Sequence, residues 1–358
     1  MRDKRFIFFL LGLALGVASI WAMVQSQQPE KAEGTSGSST QAGHFETIVI
    51  GTGGSPHWSP DGTKLAFMSG GWLCVRSADG KGEIQKITEI RPDFFEWMSD
   101  SEFVVFEKEP QVKDDLAIGT ISRIKRIAID GRVTTVVHDT SFSKISPPKI
   151  TKPIVLPDGT VGYYECEGGI KDWRCNVFEI IKQGKLSPDS AKKQWRCVIA
   201  PYPTGDIWIE SIDHSVKKQV TLGNQKYYFP RLSPDNTKIL AGASRYAAGL
   251  VILNVKGELL TDLDVDAQLT STGLIVGGEI TGATWSPDSK KILYNSTIED
   301  GHYTYDKDIY MVNADGTEKV SIATTPDDIE KDASWSPDGT KIAYRSETSG
   351  KIFVVKIK

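Results

Sequence analysis

Short apolar strands alternate with tight polar turns along most of the chain. The clearest unit contains Trp58, the turn Ser-Pro-Asp-Gly at 59–62, and the alternating apolar residues Leu65 and Phe67. An apolar period of two is typical of half-buried β strands. A second small turn, such as 78–80, follows each unit, so we expect four antiparallel strands per unit, named A to D. The pattern predicts an all-β propeller.

The turn motif recurs along the chain. A near-identical copy begins at Trp335, and looser or weaker copies begin at Trp285, Leu232, Trp97, Leu156 and Leu186. Proline fixes φ, aspartate bonds back to nearby backbone N–H groups, and glycine takes the left-handed conformation that closes the hairpin. Asn236 replaces that glycine in one copy. Seven motifs predict about seven four-stranded blades. If the motif at Leu186 is only a loop, the stretch from Asp158 to Gly223 is one elaborated blade and the count is six.

The repeat W-S-P-D-G-T-K-I-A-Y at 335–344 and its near copy at 58–67 resemble those of the TolB-like propellers, a family with WD40-like repeats. The resemblance covers residues 44–358. TolB proteins carry a separate α/β domain ahead of the propeller. Only about fifteen residues separate the linker that ends at residue 43 from the first motif at Trp58, so we expect that domain to be missing.

Ring closure is also predicted from the ends of this region. After the last motif the chain has only two strands, at 341–346 and 351–357. We therefore expect Phe45 to Ile50 to supply the outer strand of the last blade, because this pairing covers two strand edges that would otherwise promote aggregation.

The N-terminal segment indicates export. Arg2, Lys4 and Arg5 precede an uncharged apolar run from Phe6 to Val24. As a helix this run spans ~29 Å, close to the ~30 Å hydrocarbon core of a bilayer. Residues 1–24 are thus interpreted as a membrane anchor, with a cleaved signal peptide as the alternative, and residues 25–43 as a flexible linker rich in small polar residues. Both alternatives place the propeller outside the cytoplasm, in the periplasm or at the cell surface.

Composition and motifs exclude several classes of ligand and active site. The 42 basic and 46 acidic residues give a net charge of −4, without the basic excess that nucleic-acid binding requires. No G-x-S-x-G elbow is present, and the carboxylates at 262–266 lack the glycine and glutamate of a calcium loop. The five histidines lack metal-ligand spacing. We therefore assign no catalytic residue, metal ligand or cofactor, while a cation such as calcium in the central channel stays open.

Two cysteines suggest a covalent link. Cys166 and Cys175 flank a predicted B-to-C hairpin, where antiparallel pairing would place them opposite each other at a separation that a disulfide tolerates. An oxidising compartment would allow the bond to form. Cys74 and Cys197 are interpreted as buried strand thiols.

The favoured function is non-catalytic binding or scaffolding of a protein or glycan partner at the cell envelope. The alternative is a metal-dependent lyase or hydrolase that acts on saccharides in the channel, so enzymatic activity remains an open question. A propeller fold alone supports many functions and does not decide between the two.

The long connections predict where binding occurs. B-to-C connections are long at 108–120 and 297–307, and D-to-A connections are long at 139–148 and 266–279. Both kinds share one face of a propeller, and insertions often carry the binding residues. Exposed aromatic residues beside charges are typical of such sites. The predicted binding residues are Asp300, His302, Tyr303, Tyr305, Trp173, Arg245 and Tyr246.

The predicted export can be tested directly. Protease added to intact spheroplasts should degrade residues 44–358, because both interpretations of the N-terminal segment place this region outside the cytoplasm. Immunoblotting of the propeller, with a cytoplasmic protein as the control, measures the loss. Full protection of the propeller while a known external protein is digested would contradict export.

Overall fold

The described residues are β strands joined by turns. The computed structural model describes residues 41–42, 45–113, 116–141, 153–155, 161–167, 174–180, 195–199, 205–211, 215–223, 226–244, 248–263, 283–299, 304–325 and 328–357. Within these ranges, no helix has the length and apolarity needed to span a membrane. The proposed anchor at 6–24 lies outside the described residues, as does most of the linker.

The first three sheets follow one another along the chain. Sheet 1 contains β3 (Gly54–Trp58), β4 (Lys64–Ser69), β5 (Trp72–Ser77) and β6 (Gln85–Glu89). Sheet 2 contains β7 (Phe94–Ser99), β8 (Glu102–Lys113), β9 (Leu116–Ala128) and β10 (Val133–Ser141). Sheet 3 contains β11 (Ile154–Val155), β12 (Val161–Glu167) and β13 (Arg174–Ile180).

Four further sheets follow. Sheet 4 contains β14 (Trp195–Ile199), β15 (Ile207–Ser211) and β16 (Lys217–Gln219). Sheet 5 contains β17 (Lys226–Leu232), β18 (Lys238–Ser244), β19 (Ala248–Asn254) and β20 (Leu259–Asp262). Sheet 6 contains β21 (Thr284–Trp285), β22 (Lys291–Glu299), β23 (Thr304–Asn313), β24 (Val320–Ala323) and, at its edge, β1 (Gln41–Ala42). Sheet 7 contains β25 (Glu330–Trp335), β26 (Lys341–Ser346), β27 (Lys351–Lys356) and β2 (Glu46–Thr52).

These sheets form the predicted all-β propeller arrangement, with the A-to-D strand order in each complete blade. The expectation of about seven four-stranded blades is met only in part, because sheets 3 and 4 have three strands each among the described residues. Counted together as one elaborated blade, these two sheets give a six-blade arrangement. That count is the alternative raised by the doubtful motif at Leu186, which lies outside the described residues.

The apolar core lies between neighbouring sheets. Six buried clusters of described residues join sheets 7 and 1, 1 and 2, 2 and 3, 4 and 5, 5 and 6, and 6 and 7. The alternating apolar residues of the middle strands supply most of each cluster, as Leu65 and Phe67 do in the first. Face-to-face packing of this kind removes both faces of each sheet from water, which is the main favourable term in folding.

The ends of the propeller pair as predicted. β2 runs antiparallel to β27 and supplies the outer strand of sheet 7, with Val49 opposite Phe353. Ile50 is fully buried within the cluster that joins sheets 7 and 1. Two residues assigned to the linker, Gln41 and Ala42, pair in parallel with β24, so this part of the linker belongs to sheet 6.

The predicted B-to-C loop at 108–120 is largely paired strand. β8 and β9 form a long hairpin in which Pro110 lies opposite Thr120. The connection at 297–307 is also shortened, because β22 continues to Glu299 and β23 begins at Thr304. Polar residues on a solvated hairpin satisfy their backbone groups by pairing, and charge content alone does not separate such a hairpin from a loop.

The turn motif is held by a serine that the sequence analysis overlooked. The Ser59 hydroxyl donates to the Asp61 carboxylate (2.6 Å) and accepts from the Lys64 N–H (3.0 Å). The Asp61 carboxylate also accepts from the Thr63 N–H (2.9 Å), and Gly62 closes the turn at φ +67°. The same arrangement recurs at Ser233, Ser286 and Ser336, all buried. Asn236 takes the left-handed conformation at φ +57°, as predicted, and Ser289 does so at +60°.

Closure predicts a contrast between adjacent residues of β2. Ile50→Ala should lower the free energy of unfolding by about 2–4 kcal/mol, because a fully buried side chain is removed from the cluster that joins sheets 7 and 1. Val49→Ala, at a side chain that is 48% exposed, is the matched control and should cost little. Urea unfolding measures both, and equal losses would contradict closure through β2.

Candidate binding site at the inner strands

Tryptophans at the ends of the first strands connect successive sheets. The Trp97 indole N–H donates to the His57 carbonyl (3.0 Å), and that of Trp285 donates to the Arg231 carbonyl (3.1 Å). The Trp58 indole N–H donates to the Ser334 carbonyl of sheet 7 (3.3 Å) and so connects the two ends of the propeller. In each pair the acceptor immediately precedes the equivalent motif position of the neighbouring sheet. The repeated tryptophan is the sequence signal for these links. The carbonyl that each indole N–H meets depends on packing between sheets.

Trp335 breaks this pattern. By analogy its indole N–H should meet the carbonyl of Thr284, the residue before Trp285. Its Nε1 is instead buried without a hydrogen-bond partner, and the Ser334 hydroxyl next to it also has none among the described residues. The interface between sheets 6 and 7, called the 6–7 seam below, therefore differs from the other interfaces that carry a tryptophan link.

A cavity of about 660 Å³ lies against this seam and is called the inner cavity. The first strands of three successive sheets contribute to its wall. These residues include Arg231 of β17, Thr284 and Trp285 of β21, and Lys331, Ser334 and Trp335 of β25. Ligand sites typically have volumes of ~300–1,000 Å³, so the inner cavity has a suitable size.

Charged groups surround the inner cavity. Lys331 forms an ion pair with Glu347, and Asp332 pairs with Arg345 at 3.3 Å. Asp332 is held at φ +58°, a left-handed conformation that is uncommon for residues other than glycine. Arg231 is exposed at the cavity wall, where its guanidinium can meet an incoming anion.

On sheets 1 and 2, His57 bonds to Glu96 at 2.7 Å, so this histidine has a partner in the neighbouring sheet.

Three buried carboxylates, those of Asp308, Asp328 and Glu330, lie within the 6–7 seam. Asn295, which also lines the inner cavity, donates to the Glu330 carbonyl at 2.9 Å. Glu330 is fully buried and accepts from the Thr325 N–H (3.0 Å), while Asp308 accepts from the Tyr310 hydroxyl (2.8 Å). One oxygen of Glu330 and one of Asp308 have no hydrogen-bond partner among the described residues.

The pKa values of these three carboxylates do not shift in the same direction, because their hydrogen bonding differs. Burial raises the pKa of Glu330 against the opposing Thr325 hydrogen bonds, and the charges of Asp308 and Asp328 raise it further. Burial likewise raises the pKa of Asp308, with opposition from Tyr310. Burial alone would also raise the pKa of Asp328, but hydrogen bonds led by that of the Ser346 hydroxyl outweigh burial and lower this pKa. A carboxyl that keeps its proton can donate a hydrogen bond.

Most of the predicted binding residues cannot be placed. Asp300, His302, Tyr303, Trp173, Arg245 and Tyr246 lie outside the described residues. Tyr305 belongs to β23, where the pairing jumps from Asp306 to Thr304, so it is the extra residue of a β bulge. The predicted set stays a prediction.

The cysteine prediction is supported at the level of strand register. Cys166 and Cys175 are directly opposite each other where β12 pairs with β13, next to an irregularity at Glu165. The disulfide itself stays a prediction. Cys74 is a free thiol that is almost fully buried, as expected, and burial raises its pKa. Cys197 belongs to β14.

Across the part of the chain that is described, no group of three or more His, Cys, Asp or Glu side chains is arranged to hold a metal ion. The expectation of a channel cation therefore has no assigned ligands.

Comparisons with known proteins agree with the fold. No protein-family model and no curated protein matches the chain. It is similar to the structure of a putative TolB from Agrobacterium tumefaciens, with 18% identity and a TM-score of 0.39 over 88% of this chain and 100% of that one. An oligogalacturonate lyase in complex with manganese gives 12% identity and a TM-score of 0.38 over 85% of this chain and 76% of that one. The tricorn protease gives 12% identity and a TM-score of 0.37 over 82% of this chain and 28% of that one.

The neighbours include a putative TolB and other propeller proteins. No family model confirms membership of the TolB-like family. At these identities and TM-scores, the similarity carries no argument about ligand or activity.

The raised pKa of Glu330 predicts a pH dependence of stability. Its pKa in the folded state exceeds the ordinary value of 4.5, so the unfolded chain loses this proton first. The free energy of unfolding should therefore fall as pH rises from about 4.5 toward the raised pKa. Glu330→Gln imitates the protonated form and should flatten that fall.

Thermal unfolding at a series of pH values compares Glu330→Gln with the natural protein. Glu83→Gln, at an exposed position, is the control for removing one negative charge. The control should follow the natural profile. Parallel profiles for Glu330→Gln and the natural protein above pH 4.5 would show that Glu330 ionises normally in the folded state.

Proposed function

We propose that this protein is a non-catalytic propeller that binds or scaffolds a protein or glycan partner outside the cytoplasm. The observation that carries the proposal is the inner cavity, which has the volume of a ligand site and is bordered by Arg231, Ser334 and Trp335. Binding there would use the shape of the cavity and the charges of its lining residues and needs no catalytic group.

Extracytoplasmic location is part of the proposal. It rests on the basic residues and apolar run of residues 2–24, and on the strand register that places Cys166 opposite Cys175. A disulfide at that register is compatible with an oxidising compartment. The anchor holds the propeller at the membrane surface, where a partner in the envelope can reach it.

The proposed partner also contacts a second surface, the face that carries the B-to-C and D-to-A connections. The inner cavity lies toward the opposite end of the sheets, where the A-to-B turn residues Pro234 and Pro287 line it. The hairpins between β12 and β13, between β18 and β19, and between β22 and β23 are B-to-C connections in the strand order of their sheets. These hairpins carry the predicted binding residues. The saccharide lyase or hydrolase stays an alternative hypothesis, and metal analysis of the purified protein distinguishes it from a binding propeller.

Partner capture tests the proposed face. Cross-linking in native membranes should trap a partner, and the combined variant Tyr303→Ala, Tyr305→Ala and Trp173→Ala should abolish capture because aromatic side chains often dominate binding energy. The melting temperature should change little. Mass spectrometry of the trapped complex gives the readout.

Exposed lysines in C-to-D turns provide the control. The combined variant Lys81→Ala and Lys256→Ala changes the opposite ends of the sheets and should leave capture intact. If the aromatic variant retains capture and the lysine variant loses it, the binding face is the opposite one.

A further inference from the structure

Unpartnered polar atoms concentrate at the 6–7 seam. Seven buried side-chain atoms of the described residues have no hydrogen-bond partner, and two of them belong to sheet 2. The other five belong to sheets 6 and 7. They are Asp308 Oδ1, Glu330 Oε2, Ser334 Oγ, Trp335 Nε1 and Arg345 Nε. Arg345 Nε keeps its ion pair with Asp332, and the guanidinium lies near Gly54 of sheet 1, so the first four atoms are the ones that mark the seam. Buried polar groups in folded proteins normally have partners, so such a concentration marks a place where another molecule can supply them.

The unpartnered atoms nearest the inner cavity are donors. Trp335 and Ser334 both line the cavity, and the indole N–H can only donate. Arg231 and Lys331 add two positive charges to the same wall and Asp332 adds one negative charge, so the lining is positive by one charge. Two neutral donors in residues that line a cavity of net positive charge favour an anion with several acceptor oxygens, and a carboxylate matches the planar guanidinium of Arg231.

The tryptophans do not favour a sugar as the ligand. Sugar binding commonly uses an exposed aromatic face, whereas Trp285 and Trp335 are only 6% and 9% exposed. Their rings are packed within the clusters that join sheets 5 and 6 and sheets 6 and 7. What the cavity offers is hydrogen-bond donors and charge, together with the prolines of two neighbouring turns, Pro234 and Pro287.

We propose that the inner cavity binds an acidic peptide segment, with one Asp or Glu carboxylate accepting hydrogen bonds from Trp335 and Ser334 and pairing with Arg231. This inference rests on the proposed binding function and names the chemistry of its partner. A volume of about 660 Å³ exceeds one side chain, so the flanking peptide backbone also enters. Both donors are buried, so the proposed binding requires side-chain rotamer changes, of the kind common at interfaces, that expose them.

A comparison of tryptophan variants tests whether the Trp335 N–H is free. Trp97→Phe removes a donor from the His57 carbonyl and should raise the unfolding equilibrium constant about fivefold more than Trp335→Phe, which removes an N–H without a partner. Urea unfolding of the full-length chain measures both. Equal losses would show that Trp335 has a structural partner, and the proposal would fail.

Calorimetric titration with acetylated hexaglutamate tests the ligand class, with hexaglutamine as the uncharged control. Hexaglutamate should bind and hexaglutamine should bind at least tenfold more weakly. Trp335→Phe, Ser334→Ala and Arg231→Gln should each weaken hexaglutamate binding about three- to tenfold, since each removes one hydrogen bond or ion pair. Trp97→Phe, away from the cavity, should bind normally.

Several outcomes would overturn the proposal. They are the absence of hexaglutamate binding, binding that is insensitive to all three cavity variants, and tighter binding of a trigalacturonate than of hexaglutamate. The last result would assign the cavity to an acidic sugar. Capture of a membrane partner by the natural protein tests the proposed function separately. If Arg231→Gln and Trp335→Phe still capture that partner fully, binding stands while the cavity assignment fails.

Discussion

The bond between a tryptophan indole and a backbone carbonyl of the neighbouring first strand is the interaction on which this propeller depends. The first strands of a propeller present their inner edges to the channel, so nothing in their own sheet fixes their distance to the next sheet. A buried indole N–H must find an acceptor, and here it finds one in the adjacent sheet. Trp58 does the same for Ser334 and connects residues 276 positions apart.

The turn motif makes this interaction repeatable. The buried serine hydroxyl bonds both the aspartate and the start of the next strand, which fixes the end of the first strand relative to the second. The tryptophan immediately before that serine is therefore presented at the same height in each sheet that carries it. Hydrogen bonds to the aspartate overcome the effect of partial burial and lower the pKa of Asp61 and Asp338 to about 2. These carboxylates consequently stay charged acceptors at pH values well above 2.

The 6–7 seam is the place where the local rule fails. Trp335 has the same motif as Trp58 and is similarly buried, yet its indole N–H has no acceptor among the described residues. Leaving a buried polar group without a partner costs about 1–3 kcal/mol, so the seam is less stable than a fully bonded interface. Sites where sequence rules and local structure disagree are often functional, because binding requires groups that the protein itself has not satisfied.

The sequence by itself determined the strands, the turns and the closure of the ring. Period-two apolar residues and the Ser-Pro-Asp-Gly turns act over short distances, so a single copy such as 58–67 already specifies its own hairpin. Pairing of β2 with β27 followed from the missing outer strand. The long hairpin of β8 and β9 was wrongly expected to be a loop, because the polar and charged residues of a solvated hairpin do not differ in composition from those of a loop.

Only the tertiary structure decided which side chains meet across sheets. The inner cavity joins Arg231, Trp285 and Ser334 from three sheets. The charges of Asp308 and Asp328 raise the pKa of Glu330 across a single seam. Nothing in the local pattern distinguishes Trp335 from Trp58, since both begin the same motif. Whether an indole finds its carbonyl depends on how two sheets pack, and that packing is a property of residues far apart in the chain.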